Sequence, residues 1–73
     1  MALTLVLNGQ SREFTTLPQS PSLADLMTEL GMKSDRVAVE RNGEIAARSN
    51  WSETQLMEGD RIEIVHFVGG GWM

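Results

Sequence analysis

The sequence predicts a small α+β fold, in which one helix covers one face of a four- to five-stranded sheet. Three patterns indicate this fold. Leucines alternate with other residues at the start, apolar residues recur at helical spacing in the second third, and a β-branched run lies near the end. A period of two is typical of a half-buried strand, and a period of 3.6 is typical of a half-buried helix. At 73 residues the chain holds a single domain.

The start of the chain predicts an antiparallel hairpin. The residues of the first strand that we expect to point inward are Leu3, Leu5 and Leu7. Asn8-Gly9 follows, which is a frequent pair in two-residue type I′ turns because both positions tolerate a positive φ. Residues 11–16 form the expected returning strand, in which Phe14 is the clear core residue.

Residues 22–30 predict the helix. Ser22 is expected to cap its N-terminus, and Asp25, three residues later, completes a variant of the capping box. Gly31 supplies a stop signal at the C-terminus. The apolar positions at helical spacing, which we interpret as core and not as a binding site, are Leu23, Leu26, Met27 and Leu30.

The second half of the chain predicts further strands separated by turns. A third strand is expected at residues 37–41, followed by the turn pair Asn42-Gly43 and a brief pairing segment at residues 44–47. Residues 49–56 are more polar and predict a short helical turn or an irregular loop. Within them, Trp51 is interpreted as a core residue in preference to a surface contact, because burial of an indole contributes much to a small core.

A turn at residues 58–60 leads into the last expected strand, residues 61–68, whose two faces differ. The residues expected to face the helix are Ile62 and Ile64. The apolar residues expected on the opposite face are Val65 and Phe67. One helix cannot cover both faces of such a sheet, so this second pair predicts a surface for partner binding. The alternative is that Phe67 folds over the edge of the core.

Composition excludes several classes of function. Ten acidic and six basic residues give a formal net charge of −4, and the basic residues are scattered, so nucleic-acid binding is not expected. The absence of cysteine excludes disulfides, thiolate metal sites and a thiol nucleophile. The one histidine, His66, cannot build a histidine metal cluster, and we interpret it as a strand residue rather than a proton shuttle. We therefore expect no metal and no bound cofactor.

Neither a signal peptide nor a membrane span is indicated. Residues 1–8 lack a basic segment and become polar early. No apolar run approaches the ~18 residues of a membrane-spanning helix. We therefore expect a cytoplasmic protein that does not insert into membranes.

Three consecutive glycines, Gly69, Gly70 and Gly71, distinguish the end of the sequence. We interpret residues 1–68 as the folded domain and residues 69–73 as a flexible tail, because glycine loses more conformational freedom on ordering than any other residue. A backbone without Cβ atoms is also thin enough to thread a narrow channel in a partner. A frayed terminus is one interpretation. The other is a reactive arm, whose chemistry takes place at a glycine carboxylate.

The end of the sequence resembles the C-terminus of ThiS-type sulfur carriers of thiamine biosynthesis. The similar run, after Gly59-Asp60, is Ile64-Val65-His66-Phe67-Val68-Gly69-Gly70-Gly71. Leu7-Asn8-Gly9, Leu23 and Leu26 of the helix, and residues 37–43 add to the resemblance, which covers nearly the whole chain. It implies the β-grasp, ubiquitin-like fold of the MoaD/ThiS superfamily, with a mixed sheet packed on one helix.

The resemblance also implies a chemistry for the tail. An E1-like adenylyltransferase binds such a carrier, threads Gly69 and Gly70, and uses ATP to adenylate the carboxylate of the terminal glycine. A sulfur donor, usually a cysteine desulfurase persulfide, then displaces AMP and leaves a thiocarboxylate, whose sulfur passes to a thiazole synthase. The expected attachment residue is Gly71, with Gly70 as the alternative. The carrier itself is a protein cosubstrate and not an enzyme.

Trp72 and Met73 depart from this pattern, because a peptide-bonded Gly71 has no free carboxylate. Three explanations are open: a metallopeptidase removes the dipeptide, the protein is a homologue that only binds, or the dipeptide is incidental. We favour processing. The competing functions are a carrier for another pathway, such as molybdopterin, cysteine or secondary metabolite synthesis, and a non-catalytic ubiquitin-like interaction module.

Overall fold

A computed structural model of the protein describes residues 2–32 and 36–66. In chain order its strands are β1 (Leu3–Leu7), β2 (Gln10–Phe14), β3 (Val37–Arg41), β4 (Glu44–Ile45) and β5 (Arg61–His66). The α-helix, α1, spans Leu23–Leu30, and a 3-10 helix spans Arg48–Glu53.

The five strands form one mixed sheet in the order β2-β1-β5-β3-β4. β1 pairs antiparallel with β2 and parallel with β5, and β3 pairs antiparallel with both β4 and β5. The first and last of the described strands are therefore neighbours near the centre of the sheet. A mixed sheet with one α-helix on one face confirms the predicted fold class.

Both Asn-Gly pairs form the tight turns that the sequence predicts. Asn8 and Gly9 have φ values of 49° and 81°, and Asn42 and Gly43 have φ values of 54° and 88°. A positive φ at both central positions defines the type I′ turn, whose twist matches the twist of the flanking strands. The first turn joins β1 to β2, and the second joins β3 to β4.

Two strand boundaries differ from the sequence prediction. The prediction of residues 11–16 for the second strand is wrong at both ends, because β2 pairs only along β1: Gln10 lies opposite Leu7, and Phe14 lies opposite Leu3. The prediction that pairing continues to residue 47 is also wrong. β4 ends at Ile45, because the chain then turns into the 3-10 helix. Residues 67 and 68, predicted as the end of the last strand, lie outside the described residues.

Helix α1 has the predicted caps at both ends. The Oγ of Ser22 accepts a hydrogen bond from the N–H of Asp25 at 3.1 Å, and Oδ2 of Asp25 accepts one from the N–H of Ser22 at 2.8 Å. This reciprocal capping box satisfies two backbone donors. Gly31 ends the helix with a φ of 71°, and its N–H donates to the carbonyl of Thr28 at 3.0 Å. A left-handed residue at this position is the usual place for glycine.

The core lies between α1 and the sheet and is closed by the 3-10 helix. Its largest fully buried side chains are Leu5, Leu23, Leu26, Val39 and Ile62. Trp51 is buried as predicted, and its Nε1–H donates to the carbonyl of Ala46 at 2.9 Å. Leu30, the last apolar position of the helix, is half-buried and packs against the edge of this core.

Candidate functional site

β5 has the two different faces that the sequence predicts. Ile62 and Ile64 are buried in the core, whereas Val65 is 53% exposed. Successive side chains of a strand point to opposite faces, so Val65 and Glu63 share the face that α1 leaves uncovered. The predicted placement of Val65 on this face is confirmed. Its predicted role in partner binding stays a prediction.

The remaining predicted site residues are not among those that the structure describes. They are Phe67, Gly69, Gly70 and Gly71. The structure therefore shows the strand that precedes residues 67–73 in the sequence. The last described residue of this strand is His66, which is exposed and lies opposite Val37 of β3.

The uncovered face of the sheet mixes apolar and acidic side chains. We call it the open face, and its members near β5 are Ala38, Glu40, Ile45, Glu63 and Val65. The pairing register places Val65 opposite Ala38, and it places Glu40 opposite Glu63 on one side and Ile45 on the other. Like charges directly opposite one another destabilise a sheet. In the described part of the chain no salt bridge relieves either glutamate. This face therefore suits a partner surface that is apolar with basic side chains.

Asp60, at the entry to β5, holds the strand to the turn between β3 and β4. Its Oδ2 accepts hydrogen bonds from Nε of Arg41 at 2.9 Å and from the N–H of Met57 at 2.8 Å. Its Oδ1 accepts one from Nδ2 of Asn42 at 3.0 Å. Burial alone raises the pKa of this carboxyl, but the hydrogen bonds from Asn42, Met57 and Arg41 outweigh burial and hold the pKa below its ordinary value of 3.8. Asp60 is therefore an ionised structural anchor of β5.

Asn8 holds the middle of β5 from the opposite side. Its N–H donates to the carbonyl of Ile62 at 2.9 Å, and its Oδ1 accepts a hydrogen bond from the N–H of Ile64 at 2.8 Å. The sequence interpretation treats Asn8 and Asp60 only as turn residues. No local pattern signals their second role, because Asn8 and Ile64 are 56 positions apart in the chain.

The described residues hold no metal site of the usual kind. Within residues 2–32 and 36–66, no group of three or more His, Asp or Glu side chains is placed to bind a metal ion.

A shallow groove between α1 and the 3-10 helix is lined by Met27, Met32, Arg48 and Trp51 among others. In the part of the chain that the structure describes, no helix has the length and apolar character needed to cross a membrane.

A mixed sheet wrapped around one helix, with its first and last strands parallel and adjacent, defines the β-grasp, ubiquitin-like class of small proteins. Within that class, the chain belongs to the ThiS family, whose model matches residues 5–71. The match includes Gly69 and Gly70 and ends at Gly71.

Individual relatives agree with this assignment. The sulfur carrier protein ThiS of Bacillus subtilis is 39% identical over 67 residues, which cover 92% of this chain and 98% of that protein. The crystal structure of the thiamine biosynthesis protein ThiS from Geobacter metallireducens superposes with a TM-score of 0.78 at 30% identity. The superposition covers 94% of this chain and 100% of the Geobacter chain.

Other relatives are much longer proteins. A thiazole synthase of Paramagnetospirillum magneticum is 44% identical over 69 residues, which are 94% of this chain but 20% of that protein. The thiazole synthase of Magnetococcus marinus matches over 15% of its own length. This chain therefore spans a fifth or less of the length of these synthases.

Proposed function

We propose that this chain is a sulfur carrier protein that supplies sulfur for the thiazole moiety of thiamine. The observation that carries the proposal is the near full-length similarity to a sulfur carrier, together with a family match that ends at Gly71. In this role the protein is a cosubstrate and not an enzyme. Its folded body presents a surface to partner enzymes, and its tail supplies the reacting group.

The proposed chemistry takes place at the carboxylate of Gly71, with Gly70 as the alternative. A carboxylate is a poor electrophile, because its oxygen is a poor leaving group. Attack of the carboxylate oxygen on the α-phosphorus of ATP forms an acyl adenylate and releases pyrophosphate. The terminal sulfur of a persulfide then attacks the acyl carbon and AMP leaves. A thiol reduces the resulting acyl disulfide, which frees the thiocarboxylate.

The proposal assigns each remaining task to a partner. An E1-like adenylyltransferase binds ATP and threads Gly69 and Gly70 toward its active site. A cysteine desulfurase or another donor provides the persulfide, and a thiazole synthase takes the sulfur. The last assignment is supported by thiazole synthases that contain a segment similar to this chain. Because the first step consumes ATP, we place the carrier in the cytoplasm.

The peptide bond between Gly71 and Trp72 has to be cleaved before adenylation. We assign this cleavage to a processing metallopeptidase, which removes Trp72 and Met73. The same peptide bond favours a second candidate function, because an uncleaved chain can only bind. That second function is a ubiquitin-like interaction module with an inert tail. A carrier for another sulfur pathway uses the same tail chemistry and differs in the final acceptor.

The first test compares chains that differ only in the tail. Residues 1–71, with a free Gly71 carboxylate, and residues 1–73 are each incubated with the adenylyltransferase and ATP, and pyrophosphate release is measured. We expect release with residues 1–71 and none with residues 1–73. Residues 1–68 serve as the matched control, which keeps the whole predicted domain and lacks the glycines. If none of the three chains releases pyrophosphate, the interaction module remains as the function.

Intact mass of the protein isolated from its own cells tests the processing step. We expect a mass without Trp72 and Met73, and a fraction in which one oxygen is replaced by sulfur. Sulfur transfer from that fraction to a thiazole synthase, followed as thiazole product, separates thiamine biosynthesis from other pathways. A full-length mass that stays unchanged in cell extract with ATP contradicts the carrier role.

A further inference from the structure

The hydrogen bonds between β1 and β5 form a parallel ladder that stops short of the end of β5. The N–H of Val6 donates to the carbonyl of Asp60, and the N–H of Asn8 donates to the carbonyl of Ile62, each at 2.9 Å. In a parallel pair the bonds are evenly spaced, and one residue bridges two residues of its neighbour that are two positions apart. Val6 and Asn8 are therefore successive rungs of this ladder.

Asn8 completes the last rung with its side chain. Its backbone turns into the hairpin with a φ of 49°, so its carbonyl leaves the strand direction. Its Oδ1 takes the place of that carbonyl and accepts the hydrogen bond from the N–H of Ile64 at 2.8 Å. Asparagine side chains can hydrogen-bond to backbone groups and so compete with the hydrogen bonds of a strand ladder. β1 therefore covers this side of β5 only as far as the N–H of Ile64.

Beyond Ile64, none of the described strands pairs with the same side of β5. Successive residues of a strand direct their N–H and carbonyl groups to alternate sides, so His66 shares the side used by Ile62 and Ile64. Within residues 2–32 and 36–66, neither the carbonyl of Ile64 nor the N–H of His66 pairs with a backbone group. On the opposite side, Val65 pairs with Ala38 of β3. We call the Ile64 carbonyl and the His66 N–H the open rung.

We propose that the adenylyltransferase that accepts the glycine tail adds an extended segment of its own chain at the open rung, parallel to β5. This inference rests on the proposed carrier function. The acceptor of Ile64 and the donor of His66 have the spacing that one residue of a parallel strand bridges. Addition of a strand to a free sheet edge is a recurring mode of recognition, in which main-chain hydrogen bonds supply affinity. Residues 67–73 follow His66 in the sequence, so the added segment pairs with the part of β5 that directly precedes them.

The surroundings of the open rung leave room for a second backbone. Asn8, Gly9, Val65 and His66 are all exposed, and a Cβ added at Gly9 meets no atom within 4 Å. The short run from Ile64 to His66 also carries no proline and no Lys or Glu, which are the residues that usually protect a strand edge.

The free edge of β2 is a less suitable place for strand addition. It carries the charged residues Arg12 and Glu13, both of which are exposed, and charged side chains discourage pairing at an edge. It also lies at the far end of the strand order, separated from β5 by β1. Compared with the edge of β2, the open rung therefore combines backbone groups that pair with no described residue and a position directly before residues 67–73 in the sequence.

Two substitutions of His66 distinguish the contribution of its backbone N–H to binding from that of its side chain. His66→Pro removes the N–H of the open rung, and it removes no hydrogen bond to β3, because that N–H points to the other side. Proline is tolerated in a strand where its missing N–H would face an unpaired edge. His66→Ala is the matched control, which deletes the imidazole and keeps the N–H.

Affinity of residues 1–71 for the adenylyltransferase of the same cell, measured by calorimetry without ATP, gives the first readout. We expect His66→Pro to weaken binding about tenfold and His66→Ala to stay within about twofold of the parent chain. Equal binding by all three chains overturns the open rung as a docking site, while adenylation of the parent chain still supports the carrier function. An equal loss in both variants also overturns it, because the loss then belongs to the imidazole. A parent chain that neither binds nor is adenylated overturns both proposals.

Amide hydrogen exchange of the unsubstituted chain gives a second readout, which stands even where His66→Pro unfolds the protein. In the free chain we expect rapid exchange at His66 and slow exchange at Val65, whose N–H pairs with β3. On saturation with the adenylyltransferase, exchange at His66 is expected to slow about tenfold or more, as a new hydrogen bond forms. An unchanged exchange rate at His66 in the complex contradicts the proposal.

Discussion

The carboxylate of Asp60 and the guanidinium of Arg41 form a hydrogen-bonded ion pair, with Nε 2.9 Å from Oδ2. The pair joins the end of β3 to the entry of β5, and the carboxylate side chain is only 8% exposed. Because the N–H of Met57 and the amide of Asn42 donate to the same carboxylate, Asp60 is the common acceptor of three donors. Its loss therefore affects two turns as well as the ion pair.

Replacement of Asp60 by alanine is expected to lower the free energy of unfolding by about 2–3 kcal/mol, because three donors lose their acceptor in a partly buried place. Urea denaturation measures the change. Glu53→Ala is the control, since this exposed residue ends the 3-10 helix and is expected to change stability by about 0.5 kcal/mol or less. A similar small effect for both variants would contradict the anchoring role of Asp60.

The lowered pKa of Asp60 predicts a dependence of stability on pH. The native carboxyl binds a proton less readily than the unfolded one, whose ordinary pKa is 3.8. Its contribution to stability is therefore complete above that value and is lost as the pH falls through the lower pKa of the folded state. Urea midpoints measured from about pH 6 down to about pH 3 should fall more steeply for the parent protein than for Asp60→Asn. Parallel curves for the two proteins would count against this assignment.

Asn8 is predicted to stabilise the protein through its side-chain oxygen and not only through its turn conformation. Asn8→Gly keeps the positive φ and removes the acceptor for the N–H of Ile64, so we expect a loss of about 1–2 kcal/mol. Asn8→Asp retains an acceptor and is expected to lose less. Exchange of the Ile64 amide should accelerate in the glycine variant alone. If the two variants show the same Ile64 exchange, the side-chain rung has no energetic role.

Ile62 tests the packing of the central strand. It is fully buried, so Ile62→Val is expected to cost about 0.5–1.5 kcal/mol and Ile62→Ala about 2–5 kcal/mol. A domain of this size has a small margin of stability, so the alanine variant is expected to be largely unfolded at 37 °C in circular dichroism. Val65→Ala is the control, because Val65 is an exposed residue of the same strand, and this variant should remain folded. If Ile62→Ala and Val65→Ala are equally folded, Ile62 is not part of the core that stabilises the protein.

Val65 is predicted to contact the adenylyltransferase through the open face. Val65→Ser removes an exposed apolar side chain near the C-terminal end of β5, and we expect a loss of affinity of about fivefold to tenfold without loss of stability. Met57→Ser is the matched control, because Met57 is 59% exposed but lies outside the strands. Calorimetry on residues 1–71 measures both. Equal losses in the two variants would indicate a general effect of surface hydrophobicity.

The sequence alone predicts those parts of the fold that local chemistry decides. Both Asn-Gly turns, the capping box of Ser22 and the stop at Gly31 depend on neighbours within a few positions. The faces of β5 follow from its alternation, which places Ile62 in the core and Val65 outside. Each of these predictions is confirmed by the structure.

Features that depend on distant residues are not visible in the sequence. The end of β2 is fixed by the length of β1, which pairs with it only between Leu3 and Leu7. The acceptor roles of Asp60 and Asn8 need partners that the fold brings together from far along the chain. The predicted roles of the glycines stay predictions, because Gly69, Gly70 and Gly71 lie outside the described residues.

The place of β5 between β1 and β3 also bears on how the protein is made. β5 is the last of the described strands to leave the ribosome, and until it emerges the two hairpins share no strand that could join them. A nascent chain that terminates before β5 therefore lacks the centre of its sheet and stays open to proteolysis. Such a fragment also lacks the tail. We therefore expect degradation of incomplete chains to remove copies that lack Gly69, Gly70 and Gly71.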